Sequence, residues 1–161
     1  MKLYIKNKFW SITGSSKVVD INKNPVYKVK GRFLSPTKVK KVCDLKNNMF
    51  YKVRNKYFNW FNKKAYIYDA NGEKVATVVH KFFSLKGDFY IEGYKDEIKV
   101  EGKFWSLTSK LLKNGVPFGT IRRELNFFVD AFELEANEED MPFLIALVIA
   151  IDNITDGKKS R

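Results

Sequence analysis

A single cysteine, Cys43, and a single histidine, His80, are all this 161-residue chain holds of the two commonest metal-binding and nucleophilic side chains. One thiol excludes an internal disulfide and fits a reducing compartment. The pair together cannot build the Cys/His clusters that hold structural zinc. The phosphate loop G-x-x-x-x-G-K-[ST], the G-x-S-x-G nucleophile elbow and the H-E-x-x-H pair are missing as well. Met1 to Lys8 has no apolar stretch of the signal-peptide kind, so a cytoplasmic protein is expected. The longest apolar run, Met141 to Ile151, is 11 residues with Pro142 inside it. A membrane span needs about 20.

What the chain has is a repeat. Every 21–25 residues or so an aliphatic residue is followed by three mostly polar positions and an aromatic, often with a second aromatic and a Ser. The copies begin at Ile5, Val29, Val53, Val78 and Val100, and Ile121-Arg122-Arg123-Glu124-Leu125 is a weaker sixth. A fixed period means one supersecondary unit used repeatedly. Midway between copies lie turn signals at Asp20–Pro25, Asp44–Asn48, Asp69–Gly72, Gly93–Asp96 and Lys113–Pro117. Asn-Gly and similar pairs accept positive φ between apolar runs, and Val, Ile, Tyr and Phe on either side suit strands. Six units of two strands predict an antiparallel meander of about twelve strands, with no compositional break marking a second domain.

Alternation along a strand sorts the faces. Ile5 with Asn7 and Phe9, Val29 with Gly31 and Phe33, and Val100 with Gly102 and Phe104 would share one face, its small or polar middle position suiting a crowded interior. Lys6, Lys30 and Arg54 would share the other. The C-terminal segment breaks the pattern. Glu138-Glu139-Asp140-Met141-Pro142 has the acidic residues and early Pro of a helix start. Phe143 to Ile151 is then apolar all round, and a helix without a polar side is buried on every side. In a twelve-strand protein the place for it is the inside of a closed barrel. The reading is a mainly β fold: six hairpins around a buried helix over 141–154, one domain over 1–155, and a solvated tail at 156–161.

The repeated V-x-G-x-F-x-S phrase, the turn Tyr68-Asp69-Ala70-Asn71-Gly72 and the terminal Leu147-Val148-Ile149-Ala150-Ile151-Asp152 resemble the LURP-one-related family, and most of all its small bacterial members. That family belongs with the tubby C-terminal and phospholipid scramblase domains. The resemblance implies a twelve-stranded barrel around a central hydrophobic helix. It also implies a lipid connection, because tubby domains bind phosphatidylinositol bisphosphate through barrel Lys and Arg, although no headgroup motif of theirs aligns with this chain residue by residue.

Charge points the same way. Residues 1–129 hold 27 Lys and Arg against 10 Asp and Glu, while residues 130–157 hold 8 Asp and Glu and no base. A basic body attracts lipid headgroups, nucleic acid or an acidic protein, although Lys on solvent faces also serves solubility. The candidate ligand-binding set is the basic–aromatic ladder of the repeat: Lys8 and Trp10, Arg32, Lys56 and Phe58, Lys81 and Phe83, Lys103 and Trp105. Repeated aromatics between hairpins, covered by Lys stems, are the structural alternative. A Cys43–His80 dyad is conceivable, but His80 occupies the repeat position held elsewhere by Asn7, Asn55, Gly31 and Gly102. Glu133, Glu135, Glu138, Glu139 and Asp140 lack calcium-loop spacing and fit a helix start and a solvated linker. The expectation is a non-enzymatic module without cofactor or metal, peripheral at an anionic membrane surface. A protein-interaction or structural barrel is the rival, and nucleic-acid binding comes third.

Overall fold

The computed structural model describes residues 1–6, 15–31, 35–57, 63–80, 89–102, 108–124 and 131–155. Twelve antiparallel strands make one sheet: β1 (Lys2–Lys6), β2 (Ser15–Val19), β3 (Pro25–Gly31), β4 (Lys40–Cys43), β5 (Met49–Asn55), β6 (Lys63–Tyr68), β7 (Lys74–His80), β8 (Phe89–Glu92), β9 (Ile98–Glu101), β10 (Thr108–Lys113), β11 (Val116–Glu124) and β12 (Ala131–Ala136). A single helix, α1 (Met141–Thr155), follows. Except for β8 and β9, strands adjacent in sequence pair with each other, and β1 also pairs with β12. The order runs from β8 through β1 and β12 to β9, so the barrel is nearly closed, with its seam between β8 and β9.

Turn chemistry fixes one end of this barrel. Asp20, Asp44 and Asp69 each open the same five-residue hairpin loop. The backbone N–H four residues on donates to the carboxylate at 2.8, 2.8 and 2.9 Å. The N–H three residues on donates to the Asp carbonyl at 3.0, 3.2 and 3.2 Å. That third residue takes the left-handed conformation: Lys23 at φ 68°, Asn47 at φ 75° and Gly72 at φ 86°. Asp at the start favours the Asx turn, and Asn47 and Gly72 suit the left-handed position that Lys23 also takes; a bulge beside each loop absorbs the extra residue.

The inward face is apolar. Ile5, Val29, Val53 and Val78, the heads of the first four repeats, are at most 2% exposed and share one hydrophobic core with α1. The middle position does face the interior in β5. Asn55 is buried and its Nδ2 donates to the Asn153 carbonyl of α1 at 3.0 Å. The fifth repeat departs from expectation. Gly102 is exposed at φ 96°, and a Cβ there would meet the Thr108 carbonyl at 3.0 Å, so this copy ends in a turn instead of continuing inward.

Residues Met141 to Ile154 are all buried, as an all-round apolar helix requires. Its start is a reciprocal cap: the Asp140 N–H donates to Asn137 Oδ1 at 2.7 Å, and Asn137 Nδ2 donates to Asp140 Oδ2 at 2.9 Å. Lys113 Nζ closes on Asp140 at 2.6 Å. At Gly119 the wall comes close to the helix, since a Cβ would sit 3.3 Å from Leu144 Cδ2. At the far end Lys40 and Asp152, both over nine-tenths buried, face each other at 3.7 Å. The helix thus enters the barrel at the Asp-turn end and finishes at the end where the odd-numbered strands stop.

Candidate functional site

Charge is sorted by strand. From β2 to β7 the strands carry Lys and Arg but neither Asp nor Glu. Alternation sends Val29, Val42 and Val53 inward and leaves Lys30, Lys41 and Arg54 outside. Register then sets like charges opposite one another: Lys17 against Lys28, Lys30 against Lys41, and Lys41 against Lys52. None of these forms an ion pair with a carboxylate among the described residues. Lys28 Nζ instead donates to the Leu45 carbonyl at 2.8 Å.

Aromatic rings on β6 edge this face. Lys52 Nζ stands 4.9 Å from the Tyr68 ring centre, and the Arg54 guanidinium 5.2 Å from Tyr68 and 5.9 Å from Tyr66. Lys74 lies 5.6 Å over Tyr66, and Arg54 Nε donates to Tyr68 Oη at 3.0 Å. A ring face holds a cation in place without neutralising it, so the head group keeps its charge.

The other side of the barrel is neutralised. Glu133, nearly buried, accepts from Tyr4 Oη at 2.9 Å and faces Lys2 at 3.4 Å and Arg122 at 3.7 Å. Lys99 and Glu97 pair at 3.1 Å. Of the five carboxylates expected to serve the helix start and linker, Asp140 does serve the helix, whereas Glu133 is a buried member of a wall network.

Of the ladder residues only Lys56 lies within the described residues; it follows β5, exposed, and its N–H donates to the Lys64 carbonyl at 2.9 Å. Lys8, Trp10, Arg32, Phe58, Lys81, Phe83, Lys103 and Trp105 lie outside them. The repeat had already put Lys30 and Arg54 on the outer face, but the basic face of β2–β6 also takes in Lys17, Lys28, Lys41 and Lys52, which it did not single out. Its signal was there in strands that hold bases at alternate positions and no acid.

Cys43 closes β4 at the Asp-turn end, while His80 ends β7 at the opposite end, its ring 5.1 Å from Phe89. The fold does not bring thiol and imidazole together, and burial pushes the Cys43 thiol up, away from the reactive thiolate. No three His, Cys, Asp or Glu side chains among the described residues gather as a metal requires. No helix among them is long and apolar enough to cross a membrane.

Twelve antiparallel strands wrapped around one apolar helix make a barrel of the tubby-like kind. The chain belongs to the LURP-one-related family, whose model matches residues 1–152. An X-ray structure of a protein from Arabidopsis thaliana shares the fold, with a TM-score of 0.65 over 96% of this chain and 90% of that one at 14% identity. A search of curated proteins returned no match.

Proposed function

We propose that this protein is a non-enzymatic binding module whose outer face on β2–β6 takes an anionic ligand, namely phospholipid headgroups on the cytoplasmic side of a membrane. The observation that carries this reading is the row of lysines facing lysines in register. Directly opposed like charges destabilise a sheet, each pair by roughly 0.2–1 kcal/mol. A chain whose only purpose for lysine was solubility would gain by interspersing acids, as the β1–β12–β11 side does. Against an anionic membrane each basic residue contributes about 1 kcal/mol of attraction, which exceeds what the opposed pairs cost. The tubby resemblance supports the same ligand class. The repeat ladder, Lys56 and Lys81 above all, is proposed to extend the face.

Co-sedimentation with liposomes tests this. The protein should pellet with anionic and not with neutral vesicles, and less so as salt shortens the Debye length from about 10 Å at 0.1 M. A Lys30→Glu, Lys41→Glu, Lys52→Glu triple variant should stay in solution, and charge reversal at Lys56 and Lys81 should weaken pelleting further. No pelleting with anionic vesicles at low salt, or undiminished pelleting of the triple variant, would put a protein-interaction role ahead. Displacement by a single-stranded oligonucleotide at equal phosphate would favour nucleic acid.

A further inference from the structure

The Asp-turn end carries a cleft of opposite character. It is an open cleft of about 570 Å³ between β3, β5, the β6–β7 turn and the residues leading into α1. Its walls include the rings of Tyr27, Phe50 and Tyr51, and its carboxylates are Asp69, Glu138 and Glu139. Tyr27 and Phe50 meet edge to face at 5.9 Å. No Lys or Arg lines it among the described residues, in a chain with 30 bases and 18 acids.

Glu138 and Glu139 lie in the capped turn that leads into α1, where the helix dipole favours acids, but neither carboxylate is the cap itself. Asp140 and Asn137 cap α1, and Asp140 takes Lys113 as its partner. Glu138 and Glu139 form no ion pair among the described residues. The Glu138 charge reaches Tyr27 of the aromatic wall, whereas the Glu139 charge is felt at Lys113. The Tyr27 phenol is pushed up by burial and then by the Glu138 charge. Tyr51 is pushed up by burial, opposed by its hydrogen bond with Tyr94 and reinforced by Asp69 and Asp140. The volume suits a small ligand or a single side chain. Aromatic rings beside two glutamates that have no ion-pair partner among the described residues suit a positive group that also has apolar surface. A bare metal ion does not fit, since no set of three ligating groups converges here among the described residues.

We propose that this cleft binds an organic cation, an alkylammonium or guanidinium group held between the aromatic wall and Glu138 and Glu139. Such a group comes either from a free polyamine or from a Lys or Arg side chain of a partner. The site is separate from the basic face and of opposite sign, so the two proposals stand or fall independently.

Calorimetric titration of the full chain with spermidine, agmatine and a short Lys/Arg-containing peptide tests it. At least one should bind saturably. Saturation by the amines assigns a free small cation; saturation by the peptide alone assigns a partner's side chain. The Glu138→Gln, Glu139→Gln double variant should bind at least tenfold more weakly, and Phe50→Ala should also lose affinity. Both glutamates are exposed, so the Gln variant should keep a cooperative melting transition, which separates lost binding from lost fold. No saturable binding by any of the three, or equal affinity in the double glutamine variant, would overturn the proposal.

Discussion

A few side chains decide whether this barrel exists. Leu147 sits in the middle of α1 with no exposure. Leu147→Asp would put a lone carboxylate where neither water nor a base can reach it, at a cost of several kcal/mol. Against a total stability of about 5–15 kcal/mol, the variant should lose its cooperative melting transition; an unchanged melting temperature would contradict the central helix. Tyr94 stacks on Phe143 with ring centres 4.0 Å apart, where the helix enters. Burial first, then the charges of Tyr51, Asp96 and Asp140, push its phenol up to about 12. A raised phenol means that the folded state holds a proton the unfolded chain releases near 10. The stability from this site is therefore whole below pH 10 and is lost as pH rises from there to about 12. Following tyrosinate absorbance and melting over that range should show late ionisation in the wild type, and Tyr94→Phe should flatten this part of the alkaline loss. Residues of this kind were partly legible. An apolar run with no polar side could only be buried, so Leu147 was readable. Lys40 was not: in Val39-Lys40-Lys41-Val42 one of two adjacent lysines must face inward, and only the pairing of β4 with Asp152 of α1 makes it Lys40.

The hairpin loop is the element that repeats most faithfully. Asp at its start and a left-handed residue three positions later recur in three adjacent hairpins; the turn segments were readable, and the left-handed place was so where Asn71-Gly72 fills it, but not at Lys23. The same geometry is filled by residues of different suitability. Gly72 meets nothing within 4 Å where a Cβ would stand, so Gly72→Ala is penalised by its φ of 86° alone. That should cost about 1 kcal/mol, or about 2–4 °C in a chain of this size. Lys23 occupies the equivalent place at φ 68° with a full side chain. Lys23→Gly should move the melting temperature the other way. Calorimetric melts of the two variants check the pair, and like signs would mean the loops are not equivalent. Strand ends were harder to read. The repeated phrase looked like one continuous strand, yet in the fifth copy Gly102 already leaves the wall. The middle position carries no signal that tells a buried Asn55, bonded to the helix, from an exposed Gly102.

At the scale of the whole molecule, the division into a basic half and a neutralised half sets stability against binding, and one substitution measures both. Lys41 faces Lys30 on one side and Lys52 on the other. Lys41→Glu turns two repulsive cross-strand pairs into attractive ones, each worth roughly 0.2–1 kcal/mol. The variant should therefore melt higher than the wild type at low salt, by about 2–4 °C per kcal/mol gained. Adding salt should raise the wild-type melting temperature by screening the opposed lysines, and it should narrow the gap to the variant, because the Debye length falls to about 3 Å at 1 M. The same variant should bind anionic vesicles less well, since the centre of the face has changed sign. Higher stability with weaker binding is the joint signature of charges held against their own repulsion for an outside anion. A Lys41→Glu protein that melts lower than wild type would show that the lysines do not repel at these positions. One that melts higher but pellets with anionic vesicles as well as wild type would place lipid binding elsewhere on the barrel.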